Sequence, residues 1–387
     1  MLRPFPYGAN YLSLADTPEL HRSLNNKVLF RYSAPAPSNA DLLEAYAAER
    51  LGAGRALTVP NGTQALRVAL MGTRPRAGDP VYIPAVTFVA VAGAVLSCGL
   101  VPVLVDVDER FGLDASLLPE DAERVVVAHM EGTVVDLPER VPYLIEDSAQ
   151  AMGGRHTDGR HAGTVGYAGT YSFHHAKILT SGEGGLVVVR DPAHWDVLRS
   201  YTDHGSAREQ GKYPGWNPGA FYGENLCANE AVAAVQLQQF RRLDEILSSL
   251  ERHYALTLEA LGERSDVTVI PKRPGDVKTS VRLRLESPHL RDRAMERLEE
   301  RGLPCWSLDK YLLPEHPVVA GRASLYADGF PWNLADGDDR YAPLSRDGFA
   351  ATRDGLSRTL CVPLTPELDE AEQILLAKEI AAVIAAL

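Results

Sequence analysis

Short apolar runs alternate with helical patterns between residues 56 and 145, and this alternation constrains the fold more than any other feature of the sequence. The runs predicted as strands are residues 56–59, 80–83, 101–105, 125–128, 143–145 and, further on, 185–189. Helices are predicted between them at 63–71 and 89–96. Strands that are apolar on both faces are typical of a sheet with helices on both sides. The sequence therefore predicts an α/β domain with a mostly parallel sheet.

The pattern changes after Asp244. In the following segment, helices are predicted at residues 243–261, 289–301 and 367–387. A half-exposed strand is predicted at residues 281–285. Thr365 is the predicted N-cap of the last helix, with Pro366 in its first turn. We therefore expect a large α/β domain with an N-terminal arm over residues 1–244, and a smaller α+β domain over residues 245–387.

Composition argues against nucleic-acid and membrane partners. Asp and Glu outnumber Lys and Arg by 51 to 39, and this negative bulk charge is unsuited to anionic surfaces. The apolar run 88–105 is long enough to span a bilayer, but Gly99 and Pro102 interrupt it, which favours a buried helix and strand. The four cysteines form no C-x-x-C pair, which indicates neither a zinc cage nor a disulfide framework and favours a reducing cytoplasm.

Two segments after predicted strands carry groups suited to a charged ligand. Residues 61–64, NGTQ, open a helix whose free N–H groups, hydroxyl and dipole suit a phosphate, although a plain capped helix would have the same sequence. Residues 146–150, EDSAQ, place acidic groups after an apolar strand, where burial is costly unless they are paired. A partner for these acids is therefore predicted, with an exposed surface loop as the alternative.

A lysine in apolar surroundings is the most informative single residue. Lys177 lies between the apolar segments 171–173 and 186–189, in a stretch that reads as a loop before a glycine-rich turn. Partial burial would lower the pKa of this lysine and make its amine available for a Schiff base, whereas a solvated lysine is the alternative. Phe88, which follows another strand, could stack on a flat ligand or belong to the core.

Together these segments supply what pyridoxal phosphate requires: a lysine, a carboxylate for the ring nitrogen, a phosphate cup and a flat group over the ring. The chain resembles the DegT/StrS family of pyridoxal phosphate-dependent sugar aminotransferases. The segments that carry the resemblance keep the family's order: NGTQAL, IPAVTFVAVAGAVLSCGLVPVLVDVD, IEDSAQAMGG, AGTYSFHHAKILTSGEGG and GENLCANEAVAAVQLQQFRRLDE. The resemblance implies the type I aminotransferase fold, with a seven-stranded sheet and a small C-terminal domain.

The resemblance also implies catalytic residues and cofactor contacts. Lys177 forms the Schiff base with the cofactor and then shuttles a proton, while Asp147 pairs with the protonated pyridine nitrogen. The other implied contacts are Phe88 and Gln150 at the ring, and Gly62, Thr63, Ser172 and Asn225 at the phosphate. Because Asn225 would reach the phosphate of the neighbouring subunit, the resemblance implies a homodimer with its sites at the interface.

Two positions bear on the reaction. Residues 225–228 read NLCA and lack an arginine common in nucleotide-sugar members of the family, which weakens that assignment, while Lys177 argues against the family's dehydratases. The predicted function is transfer of an amino group from L-glutamate or L-glutamine to a keto sugar or keto cyclitol in amino-sugar or aminocyclitol biosynthesis. The alternatives are elimination or aromatisation of a cyclic ketone with the same cofactor, and a non-catalytic partner subunit.

No metal site is predicted. The candidate histidines lack a supporting carboxylate spacing and are expected to be hydrogen-bonded or solvated, namely His156, His161, His174 and His175. The role of His129 stays open. The resemblance implies substrate contacts in residues 30–33, 203–217 and 306–316.

Overall fold

Two β-sheets organise the chain. The computed structural model describes residues 17–34, 37–206, 221–262, 265, 267–337, 346–366 and 368–387. The larger sheet has seven strands in the order β1-β7-β6-β5-β4-β2-β3. They are β1 Arg55–Val59, β2 Pro80–Pro84, β3 Val101–Val105, β4 Arg124–Ala128, β5 Tyr143–Asp147, β6 Ala168–Ser172 and β7 Gly185–Val189. Because β7 alone runs against its neighbours, β1 and β6, the predicted mostly parallel sheet is confirmed.

Two parts of this sheet differ from the sequence prediction. Strand β6 lies in a stretch read as a loop, because its small and polar residues lack the apolar run that marks the other strands. It is nevertheless buried throughout and pairs with β5 on one side and β7 on the other. Strand β5 continues two residues beyond its predicted end, through Glu146 and Asp147. It can do so because the Glu146 carboxylate finds hydrogen-bond donors inside the protein.

Helices cover the sheet on both sides, as the apolar strands predicted. They are α1 Pro18–Asn25, α2 Asn39–Leu51, α3 Gly62–Gly72, α4 Ala90–Ser97, α5 Trp195–Tyr201, α6 Glu230–Arg241 and α7 Leu243–Leu261. Helix α2 begins at a capping box in which Ser38 and Asp41 bond each other's backbone N–H, and it ends at Gly52, whose φ of 69° is left-handed. Helix α3 begins directly after β1, which places its N-terminus at an edge of the sheet.

The smaller sheet is antiparallel, with the order β10-β11-β9-β8. Its strands are β8 Val267–Ile270, β9 Ser280–Leu285, β10 Trp306–Ser307 and β11 Thr359–Pro363, and the accompanying helices are α8 Pro288–Glu300, α9 Pro317–Ala320, α10 Ala350–Ser357 and α11 Glu370–Ala385. Helix α7 runs through residue 244, and one apolar core contains residues from both sides of that point, such as Phe240 and Leu283. The domain division at residue 244 stays a prediction.

The start predicted for the last helix is wrong. Its N-cap is Asp369, whose side chain accepts a hydrogen bond from the Glu372 N–H while the Glu372 carboxylate accepts one from the Asp369 N–H. This reciprocal cap satisfies two end donors, whereas Thr365 would satisfy one. The predicted first residue, Glu367, lies outside the described residues.

No helix in the described part of the chain is long and apolar enough to cross a membrane. The apolar run 88–105 instead forms α4 and β3, as predicted. None of the four cysteines forms a disulfide.

His161 makes folding sensitive to mild acid. Its Nε2 atom lies 3.3 Å from Arg50 Nη1, which can only donate, so Nε2 accepts and Nδ1–H faces the Gly154 carbonyl. Burial, with the charges of Arg155 and Arg50, lowers the pKa of His161 to about 4. Since an unfolded histidine binds its proton near pH 6.5, the stability contributed by neutral His161 is present above that pH and is lost as the pH falls towards 4.

We therefore expect His161→Gln to lose less stability than wild type between about pH 7 and about pH 5, measured by urea unfolding. The exposed His289 on α8 provides the control, because His289→Gln should follow wild type. An unchanged pH dependence in His161→Gln would contradict the assignment.

Candidate active site

An acid and a lysine, both half-buried, lie at the carboxyl edge of the large sheet. Asp147 ends β5, and Lys177 lies in the turn after β6, where its N–H donates to the His174 carbonyl at 2.9 Å. Burial raises the pKa of Asp147, and the charge of Lys177 opposes that effect. Burial likewise lowers the pKa of Lys177, opposed by the charges of Asp147 and Glu131. The lysine is thus held in the desolvated setting that the sequence predicted.

The Asp147 carboxylate has one occupied oxygen and one open oxygen. Its Oδ1 accepts a hydrogen bond from the Ala149 N–H at 3.0 Å. Among the described residues none donates to Oδ2. The Asp147 carbonyl accepts from the His129 N–H at 2.9 Å, which fixes the end of the strand. Because a buried carboxylate is costly without a partner, Oδ2 is suited to a cationic N–H group.

The N-terminus of α3 meets the end of β6. A Cβ atom on Gly62 would lie 2.8 Å from Cβ of Ser172 and 3.2 Å from its Oγ, so only glycine allows this approach. The Asn61 side chain caps the helix by accepting from the Gln64 N–H at 2.9 Å. The N–H groups of Gly62 and Thr63 have no acceptor in the described part of the chain. These free donors beside a serine hydroxyl suit a phosphate group.

Phe88 and Gln150 lie beside the same edge. Phe88 is 50% exposed, so it is not the core residue that the sequence left as an alternative. Its ring packs edge-on against Tyr311 at 6.3 Å. Gln150 accepts at Oε1 from the Glu131 N–H at 2.9 Å, and its Nε2 faces the Met130 sulfur at 3.4 Å. The Gln150 amide is therefore oriented with its N–H₂ group as the remaining donor.

Asn225 lies between α5 and α6. It is exposed, on a loop that pairs with Asp203 through an isolated β-bridge. It makes no hydrogen bond to Gly62, Thr63 or Ser172 within the described residues. Its contact with the phosphate of a neighbouring subunit stays a prediction, as do the cofactor roles of the other site residues.

The structure describes most of the three segments that are expected to contact the substrate. Residues 306–316 reach the site, because the Tyr311 carbonyl accepts from the Thr87 N–H at 3.0 Å and the Tyr311 ring contacts Phe88. In residues 30–33, the Tyr32 hydroxyl donates to Asp203 at 2.7 Å. In the segment 203–217, residues 207–217 lie outside the described residues.

The sequence predicted a partner for the two acids that end β5. For Glu146 the structure identifies its hydrogen-bond partners. This fully buried carboxylate lies 2.9 Å from His156 Nε2 and 3.2 Å from His129 Nε2. It also accepts three backbone N–H groups, from Gly163, Val165 and Gly166, at 2.7–2.8 Å. Burial alone would raise the pKa of Glu146, but the hydrogen bonds from His129 and His156 hold it well below its usual value.

The tautomer of His129, whose role the sequence left open, follows from these bonds. Its Nδ1 accepts from the Val135 N–H at 3.1 Å, so the ring proton lies on Nε2 and points to Glu146. The three side chains are close enough to hold a metal ion. However, both carboxylate oxygens already accept backbone N–H groups, which favours a hydrogen-bonded cluster over a metal centre.

Sequence reasoning missed Glu131. It follows β4 and has a positive φ of 50°, and its backbone N–H orients Gln150. The signal that could have identified it is an acidic residue directly before Gly132, immediately after a fully buried strand.

Most of the chain is similar to known aminotransferases. The profile of the DegT/DnrJ/EryC1/StrS aminotransferase family matches residues 24–331. The chain belongs to this family. A DegT/DnrJ/EryC1/StrS aminotransferase from Brucella abortus has the same fold, with a TM-score of 0.79 at 23% identity over 100% of this chain and 99% of that chain. The predicted family, fold class and enzyme class are therefore confirmed.

Two relatives of this DegT family protein are named for their activities. The L-glutamine:2-deoxy-scyllo-inosose aminotransferase of Streptoalloteichus tenebrarius is 32% identical over 322 residues, 77% of this chain and 70% of that protein. The GDP-perosamine synthase of Caulobacter vibrioides is 34% identical over 235 residues, 56% of this chain and 61% of that protein. The matched region thus spans less than two thirds of the second relative.

Proposed function

We propose that this protein is a pyridoxal phosphate-dependent aminotransferase that transfers an amino group from L-glutamine or L-glutamate to a keto cyclitol or keto sugar. The observation that carries the proposal is that Lys177 and Asp147 lie at one edge of the sheet, where burial lowers the pKa of the lysine and the charge of Asp147 opposes that effect. The open Oδ2 of Asp147 and the free N–H groups of Gly62 and Thr63 fit the ring nitrogen and the phosphate of that cofactor.

The proposed roles of the protein groups follow from their surroundings. Asp147 keeps a ring nitrogen protonated, because its buried carboxylate gains a cationic partner. Bound in this way, pyridoxal phosphate supplies an electron sink that acidifies the α-hydrogen of the amino donor. Lys177 moves that proton, since a buried amine with a lowered pKa is more often neutral and able to act as a base. Ser172 and the N-terminus of α3 hold the phosphate.

The similarity to the 2-deoxy-scyllo-inosose aminotransferase supports a keto cyclitol as acceptor and L-glutamine as donor. A nucleotide sugar is the second candidate, supported by the shorter match to GDP-perosamine synthase. A homodimer completes the proposal, because the exposed Asn225 is then available to a neighbouring subunit. Since its substrates are small metabolites, the cytoplasm is the proposed location.

The visible spectrum of the protein tests the proposal. After reconstitution with pyridoxal phosphate we expect a yellow band, and L-glutamine or L-glutamate should bleach it as the cofactor becomes pyridoxamine phosphate. A colourless protein would contradict the cofactor assignment. A band that no donor bleaches would contradict transamination and favour elimination on a cyclic ketone or a non-catalytic partner subunit.

A further inference from the structure

Glu131 carries a long acidic side chain on a strained backbone. Its φ of 50° and ψ of 35° are left-handed, a conformation that disfavours every residue with a Cβ atom. Glutamate gains no local hydrogen bond there of the kind that lets asparagine or aspartate adopt this conformation. Strain of this kind is concentrated at functional sites, where the surrounding structure enforces it. The side chain of Glu131 is therefore a candidate for a function of its own.

Hydrogen bonds to three residues distant in sequence hold Glu131 in place. Its N–H donates to Gln150 Oε1 at 2.9 Å, and its carbonyl accepts from Lys272 Nζ. One carboxylate oxygen, Oε2, accepts from the Ser280 hydroxyl of β9 at 3.2 Å. The orientation of the carboxylate is thus set by the small sheet, while its backbone is tied to a predicted cofactor contact.

The second carboxylate oxygen is open. Glu131 is 7% exposed, yet it forms no salt bridge within the described residues, and none of them donates to Oε1. Two basic side chains lie near without a hydrogen bond to the carboxylate of Glu131. Lys272 donates to the backbone carbonyl of Glu131 and to Thr133, and the buried Arg282 donates to the Arg110 carbonyl at 3.0 Å. Their charges reduce the cost of burying the carboxylate, but Oε1 keeps its capacity to accept.

Glu131 lies beside the candidate active site, because its N–H is bonded to Gln150 at the same edge of the sheet. Its charge is one of the two that oppose the lowered pKa of Lys177. Burial raises the pKa of Tyr311 to about 12, and the charge of Glu131 adds to that effect. The Tyr311 ring in turn contacts Phe88. The charge of Glu131 thus acts both on the lysine and on a tyrosine of the segment expected to contact the substrate.

We propose that Glu131 is a specificity-determining residue whose open carboxylate oxygen accepts a hydrogen bond from a hydroxyl group of a neutral, polyhydroxylated keto substrate. A carboxylate can only accept, so a hydroxyl satisfies it, whereas a carboxylate or phosphate at the same place is repelled. An apolar substrate leaves the charge unpaired. This inference rests on the proposed aminotransferase function and assigns Glu131 to the acceptor half of that reaction.

The test separates the two half-reactions in stopped-flow absorbance. L-glutamine or L-glutamate converts the pyridoxal form, and 2-deoxy-scyllo-inosose then reoxidises the pyridoxamine form. For Glu131→Ala we expect the rate constant with the ketone to fall about 10- to 100-fold, the range for a hydrogen bond to a charged group, while the donor half changes less than about 2-fold. Glu131→Gln keeps an uncharged acceptor of the same size and should lose less.

A binding measurement gives a second readout that does not depend on turnover. The same ketone is titrated calorimetrically into the pyridoxal form, which has no amino group to transfer, and Glu131→Ala should weaken its binding by a similar factor. Glu123→Ala is the matched control, because Glu123 is an exposed carboxylate just before the opposite end of β4, and both its half-reactions should equal wild type.

Several results would overturn the inference. An unchanged rate and affinity for the ketone would do so directly. An equal loss in both half-reactions, with a shift in the pH at which the visible band changes, would assign Glu131 to the charge of Lys177 instead. A wild-type protein that reacts with the donor but neither binds nor aminates the ketone would refute the proposed acceptor class, and this inference with it. A wild type without the visible band would refute the cofactor assignment itself.

Discussion

Lys177→Ala is expected to abolish the yellow band of bound pyridoxal phosphate and to lower transamination by at least about 1,000-fold, because the variant loses both the covalent link and the positioned base. The fold should persist. Lys177 lies in a turn, and its side chain makes no hydrogen bond with the described residues. Single-turnover absorbance with L-glutamine measures the loss, and thermal unfolding of the cofactor-free protein measures retention of the fold.

The control for this variant is Lys378→Ala. Lys378 is exposed on α11, so its removal should leave both the band and the turnover unchanged. Transamination by Lys177→Ala at the wild-type rate would refute the role of the lysine. A loss that accompanies unfolding of the cofactor-free protein would instead make Lys177 a structural residue.

Glu146→Gln is expected to lower the free energy of unfolding by about 3–5 kcal/mol, the range for breaking a buried charged interaction. The carboxylate receives two imidazole groups and three backbone N–H groups. In glutamine one of the two oxygens becomes an N–H₂ group. Whichever way the amide turns, this donor faces other donors, and some of them are left buried without an acceptor. Urea unfolding measures the change.

Glu123→Gln is the matched control, because the side chain of Glu123 is 67% exposed and its partner, Arg124, keeps a second ion pair with Asp79 at 3.0 Å. It should change stability by less than about 0.5 kcal/mol. The pH dependence gives a second check. Since the pKa of Glu146 is lowered on folding, its contribution is present above about pH 4.5 and is lost as the pH falls, and Glu146→Gln should lack this loss. A variant as stable as wild type would show that the cluster contributes little.

The outcome at β6 shows where sequence patterns were insufficient. Strands such as β4 were predicted because residues 125–128 are all apolar, and the structure buries the whole strand. The stretch AGTYS has the same burial, but its polar groups are satisfied by neighbouring strands and loops, as when the Tyr171 hydroxyl donates to the Ala162 carbonyl at 2.7 Å. Composition alone does not reveal such partners. The start of the last helix was predicted wrongly for a related reason. Two residues able to cap it, Thr365 and Asp369, lie four residues apart.

The candidate site was predictable in part. Asp147, Phe88 and the NGT segment each lie just after a predicted strand, whereas the strand before Lys177 was not predicted. Parallel strands bring their carboxyl ends to one edge of the sheet. Their neighbourhood could therefore be inferred from the order of elements. Their cofactor roles stay predictions, and the role of Asn225 depends on a second subunit.

Local sequence thus determined six of the seven strands of the large sheet, the helices α3, α4 and α7, and most of the residues that gather at the sheet's edge, because apolar periodicity and capping act over a few residues. Tertiary structure alone decided which buried charges are satisfied. Glu131 meets Ser280 across 149 positions of the chain, and Glu146 collects donors from separate loops. A buried carboxylate is stable only where such distant donors converge, and no local pattern in the sequence encodes that convergence.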